Sequence, residues 1–258
     1  MLGGRSGIVG AVLLVFFLFV GQKLEAREVR VAVASNFLLP LKKLSGEFES
    51  LTGDKVVVIS GSTGKLYAQI KQGAPFDVLL AADSLRPELL EKDGIGVPGS
   101  RFTYAVGRLA LWSADSTLFL RNDLQIFNQK NFRYLAIANP KTAPYGKAAE
   151  QVLRKKGFWK QNQHRLVRGE NISQTFQFLV TGNAEIGFIA LSQLNRNHGQ
   201  LKGYSWTVPS DWHDPIRQQA LLLKRAKTNK AALEFLLFLK SKRIQKIIES
   251  YGYSLEHL

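Results

Sequence analysis

The chain predicts an α/β fold built on a largely parallel, helix-covered sheet. Three observations predict it. Short apolar runs alternate with amphipathic ones along most of the chain. The apolar runs end in small or polar residues suited to starting a helix, as at Ser35-Asn36, Ser60 to Lys65 and Asp83. Glycines close the helical stretches, at Gly53, Gly73, Gly94, Gly157 and Gly182.

The 258 residues are 45% hydrophobic and 21% charged, an ordinary globular balance with room for one large or two modest domains. The start differs from the rest. Arg5 precedes an apolar run from Ile8 to Val20 that is short for a membrane span and is followed by polar residues. Residues 1–26 therefore read as a secretory signal cleaved after Ala26, with a retained N-terminal anchor as the alternative. Either places the body outside the cytoplasm. There is no cysteine, which excludes disulfides, thiol catalysis, cysteine-based metal sites and lipoprotein acylation. The net charge is +15, of which the first 26 residues carry +1. The basic residues are dispersed and often adjoin carboxylates, as in Glu91-Lys92-Asp93, so a nucleic-acid partner is not expected. The densest cluster, Lys224 to Lys246, reads as a solvated helix face.

Glu28 to Ala34 is the first strand, and Ser35-Asn36 are candidate caps for a helix running to about Leu51. Val56 to Ile59 is a second strand. Leu66 to Gln72 is a short helix, and Phe76 to Ala82 a third strand. Asp83 is expected to cap the helix Leu85 to Lys92. Asp77 and Asp83, one at each end of a strand, are read as strand-edge and capping groups rather than a catalytic pair. Phe102 to Trp112 is a long strand-like run interrupted by Gly107, fit to carry the chain between domains. Asn122 to Asn131 reads as a short helix with loops. Leu135 to Ala138 is a strand, and Pro144 opens a helix that ends at Gly157. Arg165 to Arg168 is a short strand. Asn171 caps the helix Ile172 to Val180, and Glu185 to Ala190 is another strand. Leu201 to Asp214 is irregular and aromatic, fit to be a return crossing. Gln218 to Leu223 is a strand, and Asn229 to Ser250 one long amphipathic helix.

The stretch Ser60-Gly61-Ser62-Thr63-Gly64-Lys65 joins a strand to a helix through small residues and hydroxyls. It lacks the spacing of a P-loop and of a nucleophile elbow. A helix start offers unpaired N–H groups and partial positive charge, which suits an anion. Comparable turns occur at Ser35-Asn36, at Tyr145 after Pro144, and at Ile172 after Asn171. In parallel sheets ligands bind at the carboxyl ends of strands, so these turns are expected to converge. The histidines (His164, His198, His213, His257) lack metal-ligand spacing, and no nucleophile–base pair is indicated. No metal ligand or cofactor is expected, and an enzyme is not.

Several motifs, in order, resemble the periplasmic molybdate-binding proteins of ABC transporters. They are Ala34-Ser35-Asn36-Phe37, Gly61 to Leu66, Gln72 to Val78 with Ala81-Ala82-Asp83, Asn139-Pro140 through Gly146, Gly187 to Ala190, and Tyr251-Gly252-Tyr253. The resemblance covers Arg27 to Leu258. It implies a two-lobed type II periplasmic-binding-protein fold, each lobe a mixed sheet flanked by helices, joined by two crossing strands. The first lobe would comprise 27–106 and 206–258, and the second 107–205. It implies molybdate or tungstate held between the lobes by Ser35, Asn36, Ser62 and the backbone N–H groups of Tyr145 and Ile172, with Thr63 as a further donor. Many members carry a tyrosine where this chain has Ala190, so one donor is missing there or replaced, for instance by Asn36 or Ser192. The resemblance further implies delivery to an ABC permease by a monomer. A receptor for sulfate or phosphate on the same fold is the nearest alternative; an enzyme or a sensor using the cleft is a more distant one.

Overall fold

The computed structural model describes residues 26–118, 124–128, 131–194 and 202–256. The chain first forms β1 (Glu28–Ala34), α1 (Leu38–Thr52), β2 (Lys55–Gly61), α2 (Thr63–Lys71), β3 (Val78–Ala81), α3 (Leu85–Lys92) and β4 (Phe102–Gly107). It continues with β5 (Leu109–Ser113), β6 (Leu135–Ala138), α4 (Pro144–Lys155), α5 (Trp159–Asn162) and β7 (Leu166–Gly169). Then come α6 (Ile172–Val180), β8 (Ile186–Ala190), α7 (Leu191–Leu194) and β9 (Tyr204–Thr207). The last elements are β10 (Ile216–Leu222), α8 (Lys230–Lys240) and α9 (Lys242–Ser250).

These strands make two five-stranded sheets, ordered β2-β1-β3-β10-β4 and β7-β6-β8-β5-β9. Each is the centre of one lobe. The strands feeding helices are parallel, β1 with β2 and β3, and β6 with β7 and β8. The rest pair antiparallel, β10 with β3 and β4, and β5 with β8 and β9. The parallel expectation thus holds for half of each sheet. The other half belongs to the strands beside the crossings: β4 and β9 leave their lobe, and β5 and β10 enter the other.

Both sheets are buried on both faces, as helix-covered sheets are. Val31 and Val33 of β1 pack into a cluster with Phe37, Leu41, Phe48 and Phe235. Their neighbour Ala32 points the other way, into a cluster with Leu66, Leu79 and Leu221. In the second lobe Leu135 and Ile137 face Leu109 and Phe188, whereas Ala136 faces Trp112 and Phe176. The long run Phe102 to Trp112 splits at Arg108, so β4 lies in one sheet and β5 in the other. The chain returns between Thr207 and Ile216, and the Val208 N–H bonds to the Leu109 carbonyl at 2.9 Å, so the two crossings run side by side.

Five expectations need correction. Ser35 and Asn36 do not cap α1; a 3-10 turn spans Ser35–Phe37 and α1 begins at Leu38 without a side-chain cap. The helix after β2 begins at Thr63, not Leu66, because Ser62 in extended conformation already ends the strand. The aromatic stretch after residue 201 contains a strand, β9, which pairs with β5. The C-terminal helix is two helices, α8 and α9, broken at Ser241 (φ −65, ψ 141), which turns α9 so that Ile244 and Ile248 reach the core already occupied by Phe235 and Leu239. Between 122 and 131 a 3-10 segment, Leu124–Asn128, stands where a helix is expected; part of that stretch, like the signal segment, His198 and His257, lies outside the described residues. Among the described residues no helix is long and apolar enough to cross a membrane.

Candidate functional site

The carboxyl ends of β1 and β2 in one lobe face those of β6 and β7 in the other. Between them lies a small cavity. The first lobe lines it with Ala34, Ser35, Asn36, Gly61, Ser62, Thr63 and Ala82. The second adds Ala143, Pro144, Tyr145, Asn171 and Ile172. The four predicted turns therefore converge, and none of the lining residues carries a charged side chain.

Each turn supplies donors for a local reason. At α6, Asn171 Oδ1 accepts the N–H groups of Ser173 and Gln174, both at 3.0 Å. The Ile172 N–H precedes them and has no carbonyl within its helix to reach. At α4, Pro144 has no N–H, and the N–H groups of Gly146 and Lys147 bond to the Ala143 carbonyl at 2.9 and 3.1 Å. That leaves the Tyr145 N–H at the helix start. Gly146 permits this packing: a Cβ there would lie 2.1 Å from the Ala138 carbonyl oxygen at the end of β6. At α2, Ser62 is 3% exposed and its Oγ has no hydrogen-bond partner among the described residues. A buried hydroxyl left unpaired is costly, and a bound anion would satisfy it. Thr63 Oγ1 accepts the Ala82 N–H at 3.0 Å, which ties α2 to the end of β3 while its proton stays free to donate.

Asn36 lines the cavity. Its side-chain amide turns away from the cavity and donates to Gln218 Oε1 at 2.8 Å and to the Tyr253 hydroxyl at 3.1 Å. Only its backbone is left to face a ligand. Ala190 does not line the cavity, and its N–H donates to Gln193 Oε1 at 2.9 Å. The Ser192 hydroxyl donates to the Asn36 carbonyl at 3.3 Å and lies 3.0 Å from the Tyr253 oxygen, so it braces the wall instead of lining it. Tyr104, Tyr145 and Tyr253 are buried behind that wall, and burial raises all three phenols above their ordinary value, keeping them neutral. Asp77 and Asp83 serve the chain itself. Asp77 holds the Arg30 N–H and Arg225, and Asp83 accepts the Arg86 N–H at the start of α3.

The lobes touch across the cavity mouth. The Gly64 N–H donates to the Thr142 carbonyl at 2.9 Å, and Ser173 Oγ to the Ser35 carbonyl at 3.1 Å. Arg86 Nη2 donates to the Lys141 carbonyl at 3.1 Å, and Lys65 pairs with Glu170. This is a closed arrangement in which the donor residues are buried. An enclosed ring of neutral dipoles can hold an anion, because oriented N–H groups replace its hydration shell. It offers no carboxylate to accept a proton from the ligand. Among the described residues there is also no cluster of three or more His, Asp or Glu groups able to hold a metal ion.

Sequence reasoning missed Gln218 and Tyr104. The available signal was a polar residue inside an apolar strand, Gln218 to Leu223, which points to a buried partner.

Residues 29–254 match the family described as "Bacterial extracellular solute-binding protein". The chain is 48% identical over 232 residues to the molybdate-binding protein ModA of Azotobacter vinelandii, covering 90% of this chain and 92% of that protein. It is 43% identical over 247 residues to ModA of Rhodobacter capsulatus, covering 96% of each. Among solved structures it superposes on the Azotobacter vinelandii periplasmic molybdate-binding protein with a TM-score of 0.85 at 38% identity, over 89% of this chain and 100% of that one. The sulfate-binding protein SubI of Mycobacterium tuberculosis superposes with a TM-score of 0.72 at 12% identity, over 88% of this chain and 86% of that one; at that identity the likeness is one of fold.

Proposed function

The chain belongs to the family of bacterial extracellular solute-binding proteins, and from that premise we propose that it captures molybdate or tungstate between its lobes. The observation that carries the proposal is the Ser62 hydroxyl, buried without a partner among the described residues in a charge-free cavity ringed by helix starts from both lobes. The ligand would accept from Ser62 Oγ, from the backbone N–H groups of Tyr145 and Ile172, and from the Ser35–Asn36 turn, with Thr63 Oγ1 beside it. Sharing donors between lobes makes the anion itself the link that favours closure. The relatives at 48% and 43% identity are molybdate-binding proteins, which supports the choice of anion.

The chemistry of the lining supports it too. A fully deprotonated tetrahedral dianion needs donors only. Protonated phosphate also needs an acceptor, and the lining side chains include no carboxylate. Sulfate is smaller and would leave donors at stretched distances. Molybdate and tungstate are nearly equal in size and should be hard to separate. The protein would work as a monomer in the periplasm, hand its ligand to an ABC permease, and carry no catalytic step.

Thermal unfolding of the dialysed protein with molybdate, tungstate, sulfate and phosphate in turn tests the reading. Ligand at a hundred times its Kd stabilises by about 2.7 kcal/mol. A rise of several degrees with molybdate and tungstate alone is expected. A rise with sulfate or phosphate instead would move the substrate, and no rise with any of them would overturn the oxyanion assignment.

A further inference from the structure

Behind the cavity one side-chain amide joins the two lobes. Gln218, on β10, is fully buried. Its Oε1 accepts from Asn36 Nδ2 at 2.8 Å and from the Tyr104 hydroxyl at 3.0 Å. Its Nε2 donates to the Tyr145 hydroxyl at 3.2 Å. Asn36 stands in the first-lobe turn that lines the cavity, and Tyr145 opens the second-lobe helix that lines it. So the two ends of one planar amide grip one ligand-facing residue from each lobe.

The backbone is shaped around this contact. The register of β10 against β4 shifts between Gln218, opposite Ala105, and Gln219, opposite Thr103, so that Tyr104 is the extra residue. Such a bulge re-aims side chains, and here Tyr104 and Gln218 meet. Gly107 keeps space for the Tyr145 hydroxyl, since a Cβ there would lie 2.2 Å from it. The Asn36 carbonyl is pinned in turn by Tyr253 at 2.8 Å and Ser192 at 3.3 Å. The Asn36 peptide therefore has little freedom, and the Tyr145 side chain is tethered at its far end.

We infer that Gln218 is a positioning residue for anion binding, holding the Asn36 turn and the Tyr145 helix start in the mutual geometry that a ligand between the lobes requires. It does not line the cavity and acts through Asn36 and the Tyr145 hydroxyl. The inference rests on the oxyanion reading of the cavity.

The test is a double-mutant cycle on affinity. The parent, Gln218→Leu, Tyr145→Phe and the double variant are titrated calorimetrically with molybdate and with sulfate, and each unliganded protein is melted. Tyr145→Phe keeps the backbone N–H donor and removes only the tether. Gln218→Leu should weaken binding about tenfold or more, with the double variant binding no more weakly than the worse single one. A merely structural Gln218 would lower the unliganded melting temperature and leave Kd within twofold of the parent; that result, or losses that simply add, would overturn the inference. The parent's own preference decides the anion, and the ratio of variant to parent decides Gln218. A parent that binds neither anion would sink both.

Discussion

Ser62 concentrates the account in a single atom. Its Oγ is buried and has no partner among the described residues, so removing it should cost the folded protein nothing. A hydrogen bond to a charged group contributes about 1.5–3 kcal/mol. Ser62→Ala should therefore weaken molybdate binding by about ten- to a hundredfold, while the unliganded melting temperature stays level or rises. Calorimetric titration and a melt of the same samples check both halves; a drop in unliganded stability with unchanged Kd would assign Ser62 a structural role. Ser62 was legible in the sequence because its neighbours, an apolar strand before and a short helix after, are local signals. The turn of the Asn36 amide was not. Its partners Gln218 and Tyr253 lie 182 and 217 residues away in the chain, and no local pattern encodes such a contact.

At the scale of elements, the helix starts do the work, and two substitutions separate their roles. Asn171 accepts two N–H groups of α6 and so leaves Ile172 as the exposed donor. Asn171→Ala should destabilise the protein by about 1 kcal/mol and weaken binding as well, because the fraying turn carries a proposed donor. A melt and a titration read the two effects; a stability loss without an affinity loss would remove Ile172 from the site. Gly64 sits in the first turn of α2, where its N–H meets Thr142 of the other lobe. A Cβ there would come within 3.0 Å of Thr142 Cα. Gly64→Ala should weaken binding by hindering closure, and its effect on unliganded stability should be small, because about 1 kcal/mol of helix propensity is offset by the crowding against Thr142. Tighter binding would show that the contact does not limit closure. Most elements were readable from strand–helix alternation and glycine stops. The exceptions have tertiary causes. β9 is polar and aromatic and becomes a strand only by pairing with β5. The break at Ser241 lies in a stretch whose amphipathic pattern runs on across it, and what demands the bend is the core beneath.

At the scale of the whole molecule, two crossings join two sheets, and a buried polar network links the lobes. The phenols of Tyr104, Tyr145 and Tyr253 are raised above 10.0 by burial. A raised pKa contributes stability that is complete below the unfolded value and lost as pH rises past it. Asp54 is shifted the opposite way, held low by its hydrogen bonds with Arg27, and its contribution is present above about pH 4 and lost below. Stability should thus form a plateau between these limits, falling above about pH 10 and again in acid. Denaturation midpoints across that range check it. A fall beginning near neutrality would mean that a group outside these four governs the fold. The two-lobed architecture itself was implied by the resemblance and not by periodicity, since alternation alone predicts a parallel sheet and says nothing of two.

The central claim is that one tetrahedral dianion sits between the lobes on neutral donors from both. A crystal structure of the molybdate complex, with anomalous diffraction to locate molybdenum, tests it most directly. The account predicts one peak, enclosed by Ser35, Asn36, Ser62, Tyr145 and Ile172, with Ser62 Oγ within hydrogen-bond distance of a ligand oxygen. A peak elsewhere, or one held by a lysine or arginine side chain, would contradict it.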